Sequence, residues 1–193
     1  MGSVILAFLL GGCASRPSGQ SHAVSVDSGS YAVDADRELA NFQAALGAMN
    51  GNQLDEAARR FRAIAKSRPE LAGPWANLAL IDIRQNRLDD AAKNAAEALK
   101  RNPRSAQAYG MLGLVAATQG DMNKALDHYR RAVEIKKDYA VAHYNIALIN
   151  DLFLNDMATA ATHYRLYLAS TDGSDRKTAD WLAEIERSLG QAK

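Results

Sequence analysis

The side chains that could do chemistry are few, and their spacing says little for catalysis. There are four histidines, His22, His128, His143 and His163. A helical zinc site needs two imidazoles four residues apart, with a glutamate beside the first, so that both face one way. No pair of these histidines has that spacing. The single cysteine, Cys13, excludes an internal disulfide and a zinc site built on several thiolates. Asp55-Glu56 and Asp89-Asp90 look like carboxylate pairs for acid–base work. Each pair opens a segment that reads as a helix, where negative charge complements the helix dipole. That role accounts for them without chemistry. No glycine-rich phosphate loop and no GxSxG elbow occurs. We therefore assign no catalytic residue, no metal, no cofactor and no small-molecule substrate. Function must come from binding.

The elements that would position a binding surface are plain. The chain has 193 residues, 48% hydrophobic and 23% charged, with a net charge of +1. That suits one globular unit and gives no basic face for nucleic acid. Alanine is abundant, which favours closely packed helices. One period dominates: Trp75, Tyr109 and His143 lie 34 residues apart, as do Leu78, Leu112 and Ile146. So do Ala57, Ala91 and Ala125; Phe61, Ala95 and Tyr129; and Pro69 and Pro103. Trp75, Leu78, Ala79 and Asp82 follow the i, i+3, i+4, i+7 rule of one helical face. Ala79, Gly113 and Ala147 are small where a paired helix must approach. Asn86-Arg87 and Gly120-Asp121 mark the turn within each repeat. The prolines end the second helix.

These residues resemble the tetratricopeptide repeat, above all in GPWANLALIDIRQNRLDDAAKNAAEALKRNP and AYGMLGLVAATQGDMNKALDHYRRAVEIKKD. The resemblance implies an all-α, right-handed solenoid of helix-turn-helix repeats. We divide it into four, about 38–71, 72–105, 106–139 and 140–173, within a repeat region of 31–173. In the first, strict phase puts Asn41, Ala44 and Ala48 inward, while Leu39, Phe42, Leu46 and Met49 are bulkier; this predicts a longer turn near Gly51. The fourth needs one inserted residue near Phe153. Residues 174–193 read as a capping helix and tail, with Trp181, Leu182, Ile185 and Leu189 on one face, Ser174 or Asp175 at its start and Gly190 at its end.

In that family the first helices line a groove for a peptide. The corresponding positions are Asn77, Leu80, Ile83 and Arg84; Met111, Leu114 and Thr118; and Tyr144, Asn145 and Leu148. Asn77 and Asn145 match the family's groove asparagine. No lysine precedes them (Ala76 and Tyr144 stand there), so the resemblance implies an apolar ligand segment rather than a C-terminal carboxylate. His128 and His163 fall on second helices and are expected to face outward. His143 takes a packing position and is expected to be half-buried.

The N-terminus carries a second signal. Val4 to Leu10 is a run of seven apolar residues, far short of the ~20 that span a bilayer but suited to a signal peptide's core. Leu10-Gly11-Gly12-Cys13 resembles the lipobox of bacterial lipoproteins, although no Lys or Arg precedes Arg16. It implies a signal peptide over 1–12, lipidation of Cys13 and membrane attachment through that lipid. Ala14 after the cysteine leans towards the outer membrane. Residues 13–30, rich in serine, read as a flexible tether.

Together these features predict a periplasm-facing outer-membrane lipoprotein whose groove holds an envelope protein or peptide segment. The arrangement resembles the repeat lipoproteins that assist pilus and secretin assembly. The alternatives are an adaptor for cell-wall enzymes and a cytoplasmic chaperone of a secretion system.

Overall fold

The structure, a computed structural model, describes residues 28–191. Cys13, the run Val4 to Leu10 and His22 lie outside the described residues. Among those described, all regular structure is helical: α1 (Ser28–Asn50), α2 (Leu54–Ser67), α3 (Ala72–Arg84), α4 (Leu88–Arg101), α5 (Ala106–Thr118), α6 (Met122–Ile135), α7 (Ala140–Ile149), α8 (Met157–Ser170) and α9 (Arg176–Gln191). Each odd helix packs against the even helix that follows it, each even helix against the next repeat, and α3 also against α5. The result is an all-α solenoid of tetratricopeptide type. α1 starts at Ser28, three residues inside the segment read as tether.

The repeat is kept by backbone geometry as well as side chains. Asn52, Asn86 and Gly120 have positive φ, at 57°, 58° and 86°, and stand 34 residues apart. Each closes the turn between paired helices, where asparagine and glycine tolerate the left-handed conformation best. The hydrogen bonds repeat with them: the amide of Gln53 donates to Ala48 O, that of Arg87 to Asp82 O, and that of Asp121 to Ala116 O. The turn at Gly51 is thus the same length as the others, and the expected lengthening does not occur. The bulky residues of α1 belong instead to the row in phase with Gly73, Ala76 and Leu80.

The fourth turn residue, Asn155 (φ 52°), comes 35 residues after Gly120. The extra residue is taken up by one π-helical turn, Asn150–Leu154, that extends α7. A π-turn absorbs a single insertion without breaking the helix. It leaves Leu152, Phe153 and Leu154 about half exposed.

Within each pair, side-chain size is traded across the interface. Ala45 and Phe61, Ala79 and Ala95, and Ala147 and Tyr164 are fully buried at equivalent places. Gly113 faces Tyr129 so closely that a Cβ there would lie 2.7 Å from the ring. Asp82, 2% exposed, anchors the turn of the second repeat. It accepts from the Arg87 guanidinium and, at 2.6 Å, from Asn94 Nδ2.

The acidic pairs sit in the first turns of α2 and α4 without capping the backbone, so their effect is through the dipole. α9 is capped by Asp175, whose Oδ1 accepts from the amide of Thr178 at 3.1 Å. Gly190 does not end α9, which runs on through Gln191. Its far side leaves Trp181 37% exposed.

Candidate functional site

The stripe that the first helices present follows from the 34-residue phase. In α3 it runs Gly73, Ala76, Leu80 and Ile83–Arg84; in α5, Gln107, Gly110, Leu114 and Ala117–Thr118; in α7, Val141, Tyr144 and Leu148. The same register in α1 gives Leu39, Phe42, Leu46 and Met49–Asn50. This is why α1 looked out of phase: its bulky residues belong to this stripe. The four leucines Leu46, Leu80, Leu114 and Leu148 form a ladder at one position of successive repeats. Sequence reasoning had three of them and missed Leu46, although its spacing from Leu80 was available.

The floor of this face is tightly closed. Leu80 is 7% exposed, Met111 4%, Leu114 2% and Leu148 4%. Gly73 is small enough for the Phe42 ring to lie across it, 3.5 Å from where a Cβ would stand. Gly110 meets Tyr139 in the same way. Accessible side chains lie at the edges: Ile83, Arg84, Gln107 and Val141 are half-buried and Thr118 is exposed. Arg84 Nη1 donates to Met49 O at 3.2 Å, tying α3 to the C-terminal end of α1. Thr118 Oγ1 donates to Leu114 O at 2.8 Å.

The asparagines are turned inward. Asn77 Nδ2 donates to Gly73 O at 3.0 Å, and Asn145 Nδ2 to Val141 O at 2.8 Å. Asn145 is fully buried and its Oδ1 has no protein partner. Tyr144 belongs to an aromatic cluster that joins the last repeat to the cap, edge-on to Tyr164 at 6.1 Å and to Tyr167 at 5.1 Å. Burial raises its phenol above the usual range. The Tyr167 hydroxyl donates to Asp175 Oδ2 at 3.1 Å, and burial together with that carboxylate pushes it up to about 12.

Two histidines are closer than the sequence suggested. His143 is buried, 4% exposed, and His163 is half-buried on α8 rather than turned outward. Their Nδ1 atoms are 3.0 Å apart, and His143 Nε2 is 2.8 Å from Lys137 O. A carbonyl only accepts, so His143 carries its proton on Nε2 and accepts at Nδ1 from His163. Burial, then His143 and Arg130, lowers His163 to about 4. The pair joins α7 to α8. His128 is half-buried and tilted against Tyr109, ring centroids 6.3 Å apart. Among the described residues no group of three or more His, Cys, Asp or Glu is placed to hold a metal. No described helix is long and apolar enough to cross a membrane.

Comparison with known proteins agrees with this geometry. A sequence model of the tetratricopeptide repeat matches residues 76–140. No curated protein sequence matches the chain. Among solved structures, PilF of Pseudomonas aeruginosa superimposes with a TM-score of 0.69 at 18% identity, over 81% of this chain and 70% of that one. TTC0263, a thermophilic tetratricopeptide protein of Thermus thermophilus, gives 0.65 at 21% identity, over 79% and 83%. MamA gives 0.58 at 18% identity, over 76% and 86%. At these identities the likeness is one of fold.

Proposed function

We propose that the chain is a non-enzymatic scaffold that holds an apolar polypeptide segment along the first-helix face. The observation that carries this reading is the line of accessible side chains along that face, Leu46, Ile83, Arg84, Gln107, Thr118 and Val141, over a closed floor of Leu80, Leu114 and Leu148. A segment lying across the repeats meets apolar side chains at Leu46, Ile83 and Val141, with Arg84, Gln107 and Thr118 to fix its register. The buried members, Met111, Tyr144 and Asn145 among them, hold the helices that shape this face. Asn77 is turned inward with them, and Leu80 lies in the closed floor.

The Cys13 motif supports placing this scaffold in a bacterial envelope, lipid-anchored and facing the periplasm from the outer membrane. Each buried acyl methylene contributes ~0.8 kcal/mol, so several chains hold a protein firmly. In that setting the role is an adaptor for assembly of a multiprotein system such as a pilus or secretin. An adaptor for cell-wall enzymes would use the same face, whereas a cytoplasmic secretion chaperone would need no lipid. Fatty-acid labelling in the native host separates these: wild type takes up label and Cys13→Ala does not. An unlabelled wild type refutes the lipid anchor.

The face itself is tested by affinity capture with Arg84→Glu, Gln107→Glu and Val141→Glu combined. These residues are half-buried at the edges of the face; with wild-type helicity established by circular dichroism, the variant loses at least tenfold in captured partner. Equal loss from the control pair Lys93→Glu and Arg131→Glu, whose side chains are 75% and 67% exposed on second helices, counts against it.

A further inference from the structure

The first repeat lacks the aromatic residue that fills its successors. The packing position at the start of each first helix holds Trp75 in α3, Tyr109 in α5 and His143 in α7, and in the same phase holds Asn41 in α1. Trp75 packs with Ala76 and Ala98, and the Arg101 guanidinium lies 4.5 Å over its ring. Tyr109 packs in the cluster of Ala132, Ile135 and Tyr139. In the first repeat the corresponding space is a cleft of about 420 Å³ between α1 and α2.

Its apolar walls are Leu39 and Phe42 from α1, Ile64 from α2, and Leu71 beyond it, and Glu38, Asn41, Ser67 and Arg68 line the rest. Phe42 is held edge-on against Phe61 at 5.4 Å, and Phe61 is fully buried, so the inner wall is fixed. Leu39 remains 57% exposed. At the rim, Arg68 is gripped by Glu38 and Glu70, which presents a guanidinium beside the opening. An aromatic ring against apolar walls with a guanidinium near its face is the arrangement that Trp75 and Arg101 already make one repeat further on.

We infer that this cleft is a receptor for one aromatic side chain, tryptophan or tyrosine, supplied by a partner polypeptide. It restores from outside the ring that Asn41 omits. The cleft is therefore a second contact point at the N-terminal end of the solenoid, beyond the leucine ladder. The chemistry of the occupant is read from Trp75 in the next repeat: a planar ring against apolar side chains with a cation stacked on it.

The test uses the full chain and N-acetyl-L-tryptophanamide, with N-acetyl-L-alaninamide as the blank. Saturable amide shifts in ¹H–¹⁵N spectra are expected at Leu39, Ile64 and Ser67, with a Kd on the order of 1 mM for a single side chain removed from its interface. The alaninamide gives none. Asn41→Trp fills the cleft from within, raises Tm, and weakens probe binding at least tenfold. Ser67→Trp, at an exposed position on α2, blocks the same opening if the first variant fails to fold. Absence of saturable shifts at these residues overturns the inference, as does unchanged binding to a folded plugged variant. Binding of 3-methylindole at least tenfold tighter than the peptide amide overturns it too, since the cleft would then exclude a polypeptide backbone. Probe binding that emerges only in a chain lacking residues 1–27 would show the chain's own N-terminal segment in the cleft and overturn it as well.

Discussion

Gly113→Ala should destabilise the protein, while Gly47→Ala should stabilise it. Both glycines lie inside helices, α5 and α1, so intrinsic propensity favours alanine at each by up to ~1 kcal/mol. The surroundings differ. A Cβ at Gly113 would stand 2.7, 2.8 and 2.9 Å from Cε1, Cδ1 and Cζ of Tyr129, where carbon atoms rest at ~3.5–4.0 Å. The ring would have to retreat by nearly 1 Å on that scale. Tyr129 is fully buried and has nowhere to go without moving α6. Overpacking of this kind costs ~1–3 kcal/mol; after the full propensity gain of ~1 kcal/mol, a net loss of up to ~2 kcal/mol remains. At Gly47 nothing lies within 4 Å of the new atom, so the gain of ~0.5–1 kcal/mol stands alone. Urea denaturation followed by circular dichroism at 222 nm reads both. Tyr129→Leu should remove most of the penalty of Gly113→Ala, giving a coupling above ~1 kcal/mol in the double-mutant cycle. If Gly113→Ala is as stabilising as Gly47→Ala, the close packing of α5 on α6 is wrong.

Two further outcomes follow from buried polar groups. The Tyr129 hydroxyl is enclosed without a protein partner, and burial raises its pKa well above the normal value; Tyr129→Phe should leave stability unchanged or raise it by up to ~1 kcal/mol, and a loss of that size in urea melts would reveal a partner for the hydroxyl. His163, depressed from 6.5 to about 4, binds fewer protons folded than unfolded between those values. Unfolding therefore takes up a proton in that window, and stability falls as pH drops from 6.5 to 4. His163→Asn, which keeps a donor where Nδ1 stands, should flatten that part of the profile; an unchanged slope would place the titration elsewhere.

Much of this architecture was legible in the residues because a repeat states each packing rule several times. Alanine or glycine opposite a larger partner, and a left-handed residue at each turn, recur at one spacing. The inserted residue was legible for the same reason, since Tyr164 falls one place late. The details of α1 were not. Two different rows of its helix, one led by Asn41 and one by Phe42, both look like inward faces, and only the turn geometry at Asn52 fixes the register. For the site, phase located the stripe but not its depth. Leu114 and Asn145 share a helical face with accessible residues, yet close stacking of first helices buries them. The pairing of His143 with His163 depends on how α8 is set by the π-turn at 150–154, which no local pattern announces.

The central claim is that ligand polypeptide lies on the first helices and not on the second. A photo-crosslinking amino acid placed in turn at Gln107, on the stripe of α5, and at Lys93, on the outer face of α4, tests it most directly in cells. The account predicts a discrete crosslinked polypeptide from position 107 and none from position 93. A product from position 93 alone would contradict it.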